Sequence, residues 1–311
     1  MRRMRVRGHV PLAMPAAKRL LGHAWLAILA ALLCLASTDR TAAAVPAPAV
    51  YFSHVYVALD KDTYEAVRGA PEMASLAAGG ELQIEANSQA WTGFYLKGRH
   101  TWIEFFGDRG PSGLKTGNGG LVFTVEQPGG VRAVSRNWLT GFGERVLVAP
   151  SARGVGQQLV PWMSTLSLRD SDPAVTASVF ELDPAYLPAA HPRAKIGNPL
   201  SREEYMDSEW LPDLLMNDIT SVQVALQRPR LLELGKQLVL SGWDIRKEGK
   251  GFVATGPDMR VTATPAAAGK EGIRVIEFSL QREVPAQSTP LERVRLVVSG
   301  KTGRIELSPP R

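Results

Sequence analysis

One pattern recurs along the chain and limits what it can fold into: a strand, a helix and then three further strands. The first copy begins at "SHVYVALD", the second at "GGLVFTVEQ" and the third at "ITSVQVALQ". A partial fourth copy begins at "GIRVIEFSLQ", where the Pro-rich stretch "REVPAQSTP" follows the strand. Gly, Pro or Asp stands at each turn between strands, as chain reversal requires. This internal repetition predicts an α+β fold of tandem βαβββ modules.

The N-terminus has the layout of a secretory signal peptide. It combines a basic start, an apolar core over 24–36 and small residues at 42–44. The apolar core is too short for a comfortable membrane span. Translation could start at Met1 or at Met14, which would leave a leader of more ordinary length. We therefore expect a secreted or periplasmic protein without stable membrane insertion after cleavage.

Removal of residues 1–44 changes what the charge implies. The chain has 36 basic and 30 acidic residues, of which the leader holds seven and one, leaving 29 of each sign. The balanced mature chain gives no support for nucleic-acid binding. The single cysteine, Cys34, leaves with the leader, so no disulfide or thiol chemistry is expected. An exported chain without disulfides fits a bacterial periplasm.

The segment 185–217 is Pro-rich at first and polar later, which is typical of a linker. We therefore expect a signal peptide over 1–44, a first domain over 45–184, this linker, and a second domain over 218–311. A monomer is expected, since the two halves could pair internally.

Side-chain alternation in the strands separates two faces. In the first strand Val55 and Val57 share the aliphatic face, and His54 lies on the mixed face. If the aliphatic and Phe faces pack on helices, the mixed faces with His54, Glu104 and Glu181 line one concave side of a sheet. No P-loop, dinucleotide-binding or G-x-S-x-G motif is present.

With this pattern, the sequence resembles the vicinal oxygen chelate superfamily of glyoxalases, bleomycin-resistance proteins and extradiol dioxygenases. The stretches "FSHVYVALDKDTYEAV" and "WTGFYLKGRHTWIEFF" also resemble a bacterial family of unknown function with that fold. The resemblance is good over 50–184 and looser over 218–311. It implies two cupped, incomplete β-barrels, the second of them degenerate.

The resemblance also implies a metal site, because superfamily members take ligands from the first and last strands of each module. Those positions fall on His54, Glu104 and Glu181, whereas the fourth falls on Gly120 in place of histidine. One imidazole and two carboxylates suit a divalent metal such as Zn, Fe, Mn or Ni. An isomerase, lyase or dioxygenase acting on vicinal oxygens would follow, with Glu104 or Glu181 as general base.

Tyr56, Tyr95, Trp102 and Phe106 would give the cup aromatic walls for a small-molecule ligand. His100 faces the same side as Glu104, but four strand residues span about 13 Å, so it belongs at the rim of the substrate pocket.

Simpler interpretations remain for each site residue. His54 can be a hydrogen-bonded histidine at a strand end, and Glu104 can be paired with Arg99, Arg109 or Lys97. Glu181 lies close to a strand end and hence to solvent. The alternative function is a metal-free protein that binds or sequesters a small molecule in the same cup, and Gly120 favours it.

Overall fold

The computed structural model describes residues 48–171, 174–190, 201–206 and 210–309. They belong to one compact unit, Ala47–Arg311. The predicted signal peptide lies outside the described residues. Within them, no helix has the length and apolar character needed to span a membrane.

The first half of the described chain supplies eight strands. In chain order its elements are β1 (Val50–Ala58), α1 (Lys61–Gly69), α2 (Pro71–Leu76), β2 (Ala78–Ala86), β3 (Gln89–Lys97), β4 (Trp102–Phe106), β5 (Gly119–Val125), α3 (Gly130–Phe142), a 3-10 turn (Gly143–Arg145), β6 (Val146–Val155), β7 (Gln158–Leu168) and β8 (Val175–Leu182).

The second half of the described chain begins with two short helices. Its elements are α4 (Tyr186–Ala190), α5 (Arg202–Met206), β9 (Met216–Leu226), α6 (Arg228–Leu240), β10 (Asp244–Glu248), β11 (Gly251–Thr255), β12 (Arg260–Pro265), β13 (Gly272–Leu291) and β14 (Val294–Leu307).

The eight strands of the first half form a closed barrel in the order β1-β4-β3-β2-β6-β7-β8-β5. Each βαβββ module gives four neighbouring strands, with its first and last strands paired in parallel. The predicted α+β class and its βαβββ modules are thereby confirmed. The expected barrel was incomplete, whereas this one closes between β2 and β6 through the pair Ala86–Arg153. The Asn87 side chain reinforces that junction by accepting a hydrogen bond from Ala152 N at 2.9 Å.

The second half forms a six-stranded sheet in the order β10-β11-β12-β9-β13-β14, and not a second barrel. The third module is complete, but the fourth contributes only β13 and β14. The Pro-rich stretch lies inside β13, whose register with β14 shifts on both sides of Val284. Pro285 is accommodated at this irregular part of the ribbon, because proline is tolerated in strands at edges and bulges.

A β-bulge at Ser53 sets which side chains of β1 enter the barrel. The pairing with β5 shifts register between Phe52 and His54. The extra residue turns Phe52 to the same helix-packed core as Val55 and Val57, whereas His54 faces the barrel interior.

One hydrophobic core joins the barrel to the open sheet. It includes Phe52 and Trp138 from the barrel half and Val222 and Phe278 from the sheet. The Trp243 indole donates to Val50 O at 2.9 Å across the same junction. Burial of this apolar surface is the main stabilising contribution to the arrangement.

Residues 201–206, a described part of the segment expected to be a linker, lie against the barrel. Arg202 of α5 donates to Phe52 O at 2.7 Å and to the Glu126 carboxylate, and it also pairs with Asp258. These contacts hold α5 against one end of the barrel, where Tyr205 and Met206 line the interior.

Candidate functional site

The parallel pairing of β1 with β4 brings His54 and Glu104 together inside the barrel. Their register places Tyr56 opposite Glu104 and His54 opposite Trp102. His54 Nε2 lies 3.7 Å from Glu104 Oε1, and the Trp102 indole donates to the same oxygen at 2.6 Å. The imidazole also stacks on Trp102, with ring centroids 4.2 Å apart. The structure therefore brings together two of the three residues predicted as ligands, and their binding of a metal stays a prediction.

Burial controls the ionisation of both groups. It lowers the pKa of His54 to about 3, because the charged imidazolium loses its hydration. It raises the pKa of Glu104 to about 7, against the opposing effects of the Trp102 hydrogen bond, Lys97 and Arg153. At neutral pH His54 is consequently neutral and Glu104 exchanges between its protonated and ionised forms.

The pair lies in a cavity of about 550 Å³ within the barrel. Its walls are mainly aromatic and aliphatic. The aromatic members are Tyr56, Trp91, Tyr95, Trp102, Phe106, Trp162, Phe180 and Tyr205. The loop residues Pro111 and Leu114 line it as well.

The predicted pocket residues divide into two groups. Tyr56, Tyr95, Trp102 and Phe106 all line the cavity, although their contact with a substrate stays a prediction. His100 does not line it. It binds Asp218 of β9 through its ring Nδ1, at 2.8 Å, and its backbone N, at 2.7 Å. It therefore connects the barrel to the open sheet, because the turn before β4 lies against β9.

The prediction that Glu181 lies on the cavity side of its strand is wrong. Its carboxylate accepts hydrogen bonds from Gly129 N at 2.6 Å and Val131 N at 3.0 Å, at the start of α3. It therefore lies on the helix-packed face of β8 while Phe180 faces the cavity. The prediction assumed that Phe marks the helix side of a strand, but here the barrel interior is itself aromatic.

Gly120 explains why the fourth family position carries no histidine. A Cβ at this position would come within 2.3 Å of the Tyr56 ring, which lies across the glycine. The Tyr56 hydroxyl bonds to Thr176 Oγ1 at 2.6 Å on the far side of β5. An aromatic wall thus fills the space where a ligand side chain would otherwise project.

Sequence reasoning missed Arg153, Trp162 and Tyr205, which all line the cavity. Arg153 and Trp162 lie on the β6–β7 hairpin, and Tyr205 lies in the presumed linker. An aromatic residue in the polar stretch "SREEYMDSEW" was the available signal, since an isolated tyrosine there suggests a docked segment.

The donor set can be tested against a metal ion. Zinc and non-haem iron sites use three or four protein ligands. In the part of the chain that the structure describes, no group of three or more His, Cys, Asp or Glu side chains is positioned to hold one. His54 and Glu104 supply two donors and Glu181 binds a helix end, so these residues do not fit the expected three-ligand site.

These features define a class: proteins with a paired βαβββ barrel that encloses an aromatic cavity, extended by a third such module. The model of DUF5829, a family of unknown function, matches residues 52–303, and the chain belongs to that family. The match spans both the barrel and the open sheet. Among curated proteins no match was found.

Several solved structures resemble this one at low sequence identity. A hypothetical protein from Staphylococcus aureus has a TM-score of 0.48 and 11% identity, covering 78% of this chain and 96% of its own. A xylose isomerase-like TIM barrel/4-hydroxyphenylpyruvate dioxygenase fusion protein has a TM-score of 0.43 and 11% identity. The match covers 74% of this chain and 36% of the fusion protein. A triple mutant of 4-hydroxymandelate synthase from Streptomyces coelicolor has a TM-score of 0.37 and 13% identity. The match covers 71% of this chain and 63% of the synthase. The chain thus spans less than two thirds of the last two, and its function has to be argued from its site.

Proposed function

We propose that this protein binds a small, flat, mainly apolar molecule inside the barrel. The observation that carries the proposal is the aromatic cavity of about 550 Å³ with the His54–Glu104 pair in its wall. Ligand pockets typically enclose 300–1,000 Å³ behind mostly apolar walls with a few convergent polar groups.

The polar pair would orient the ligand. Protonated Glu104 donates a hydrogen bond, ionised Glu104 accepts one, and neutral His54 can do either according to its tautomer. Aromatic faces on several strands would contact a planar ring system by offset or edge-to-face packing. A ligand with one polar group on an aromatic body satisfies both parts of the wall.

The test is titration calorimetry with 2-naphthamide, a neutral two-ring aromatic, on the purified protein. Thr165→Phe adds a ring within the cavity and should abolish binding, since Thr165 lines it. Val148→Phe adds the same bulk at a site that is 45% exposed and should leave the affinity unchanged. Equal affinities for both variants, or no binding by the unmodified protein, would refute the proposal.

A metal-dependent enzyme of the vicinal oxygen chelate type is the second candidate. The 3.7 Å approach of His54 to Glu104 in the cavity would supply two of its ligands, and the described residues supply no third. A raised carboxyl pKa near 7 also suits a group that transfers protons at neutral pH. Elemental analysis of protein purified without an affinity tag distinguishes the two. Near-stoichiometric Zn, Fe, Mn or Ni that is lost in His54→Gln supports the enzyme, and its absence supports the binding protein.

We also propose that the protein is exported. The leader-like first 44 residues support secretion or delivery to a periplasm, where a monomer would meet its ligand. N-terminal sequencing of the exported protein should begin at residue 45, and light scattering should give the mass of one chain.

A further inference from the structure

The described wall of the cavity holds two basic side chains and one acidic side chain. Arg153 and Lys97 both line the cavity, and Glu104 is the one Asp or Glu among the described lining residues. Because burial raises the pKa of Glu104 to about 7, the carboxyl is only partly ionised at neutral pH.

Arg153 lies against two aromatic rings, those of Trp162 and Tyr186. Its guanidinium carbon is 5.1 Å from the Trp162 ring centroid and 5.7 Å from that of Tyr186. Its charge lowers the pKa of Lys97, Glu104 and Tyr205, which lie around the cavity. Among the residues that the structure describes, no carboxylate forms an ion pair with it.

A buried donor next to Arg153 also lacks an acceptor. The Trp162 Nε1 atom is shielded from solvent and forms no hydrogen bond within the described chain. The Tyr205 hydroxyl is close enough for Trp162 to lower its pKa, yet the two do not reach hydrogen-bond geometry. A buried indole N–H without a partner is costly, so it points to an acceptor that arrives with a ligand.

Lys97 adds a second cation to the same wall. Its Nζ lies 5.8 Å from the Tyr95 ring centroid. Burial and the neighbouring Arg153 lower its pKa to about 8, so it remains mostly protonated at neutral pH.

We propose that Arg153 and Trp162 form an anion subsite, and that the natural ligand is an aromatic carboxylate. The proposal rests on the proposed function and specifies its ligand class. Arg153 would bind the ligand carboxylate through bidentate hydrogen bonds, and Trp162 Nε1 would donate to one of the carboxylate oxygens. The ring system of the ligand would lie against the aromatic walls. Glu104 and His54 would contact a second polar group on the ring.

The experiment compares 2-naphthoate with 2-naphthamide, which has nearly the same shape but no charge, by calorimetry at pH 7.5. Naphthoate should bind at least about tenfold more tightly, as expected for charge-assisted hydrogen bonds. Arg153→Met should remove most of that advantage, so that the ratio of the two affinities falls towards one. Arg136→Met, at an exposed position on α3, is the matched control and should change neither affinity.

A second variant keeps the test valid if Arg153→Met fails to fold. Trp162→Phe retains an aromatic ring but removes the N–H, and it should lower the ratio of naphthoate affinity to naphthamide affinity by about fivefold. If the amide binds as tightly as the carboxylate, the anion subsite is refuted while the proposed function stands. If neither compound binds, both are refuted.

Discussion

Glu104 is the residue on which the chemistry of the cavity depends. Its side chain is only 14% exposed, and the effect of this burial outweighs that of the Trp102 Nε1 hydrogen bond, which favours the ionised form. Its carboxyl therefore favours the neutral form more than an ordinary glutamate does. His54 beside it is held neutral for the same reason, so the pair is not a fixed ion pair at neutral pH.

Replacement of Glu104 by glutamine should change how stability depends on pH. The folded protein binds more protons than the unfolded chain between the ordinary pKa of 4.5 and the raised value of about 7. Wild-type stability therefore falls as pH rises through that window. Glu104→Gln keeps an acceptor for Trp102 but cannot ionise, so it should gain about 2 to 3 kcal/mol relative to wild type between pH 5 and pH 8.

Urea denaturation at the two pH values measures this difference. The contribution of His54, whose lowered pKa costs stability below about pH 6.5, is common to both proteins and cancels to first order. Glu85→Gln, at an exposed position of β2, is the matched control. A constant difference between Glu104→Gln and wild type would mean that Glu104 titrates as an exposed carboxyl does.

Among the secondary-structure elements, α3 shows how a predicted ligand acquires another role. Its N-terminal residue follows Gly129, which has a φ of 77° and no side chain to cap the helix. Glu181 of β8 supplies the missing acceptor to the first backbone N–H groups. A negative charge at this end also interacts favourably with the helix dipole.

Glu181→Ala should therefore act on stability and not on ligand binding. We expect a loss of about 1 to 2 kcal/mol in the free energy of unfolding, as for other lost helix caps. Naphthamide affinity should stay at the wild-type value. Glu144→Ala, exposed beyond the other end of α3, serves as control. Loss of ligand binding without loss of stability would instead show that Glu181 belongs to the ligand-binding site.

The elements also show what a sequence can and cannot specify. Period-two alternation placed His54, Tyr56 and Glu104 on the barrel side correctly, because polar and apolar residues separate on β1 and β4. It failed on β8, where both faces mix polar with apolar residues and the choice depends on the aromatic cavity. The bulge at Ser53 and the strand conformation of the Pro-rich stretch depend on pairing between distant segments, which local sequence does not encode.

For the whole molecule, the repeated βαβββ order was predictable because each module carries its own helix and turn signals. The open second sheet was not, since the number of strands in the fourth module depends on β13 running on beyond its pairing with β9. The division into domains at 184 and 218 stays a prediction. What the structure adds is a continuous core and the Asp218 contacts that link the barrel to the open sheet.

The barrel and the open sheet should consequently unfold in one transition. Asp218 accepts hydrogen bonds from His100 N, Thr101 N and Thr101 Oγ1. Asp218→Asn should lower stability by about 2 kcal/mol, because hydrogen bonds to a charged acceptor are weakened, without splitting the transition. Calorimetry tests this, with exposed Asp244→Asn as control. Two resolved transitions, or an unchanged midpoint for Asp218→Asn, would show that the halves are energetically independent.

A crystal structure of the protein grown with 2-naphthamide tests the binding function most directly. We expect electron density for the ring system within the barrel, between Tyr56 and Tyr205, with the amide within hydrogen-bond distance of Glu104 or His54. An empty barrel with the compound bound elsewhere, for example on the open face of the six-stranded sheet, would contradict the assignment of the cavity as the ligand site.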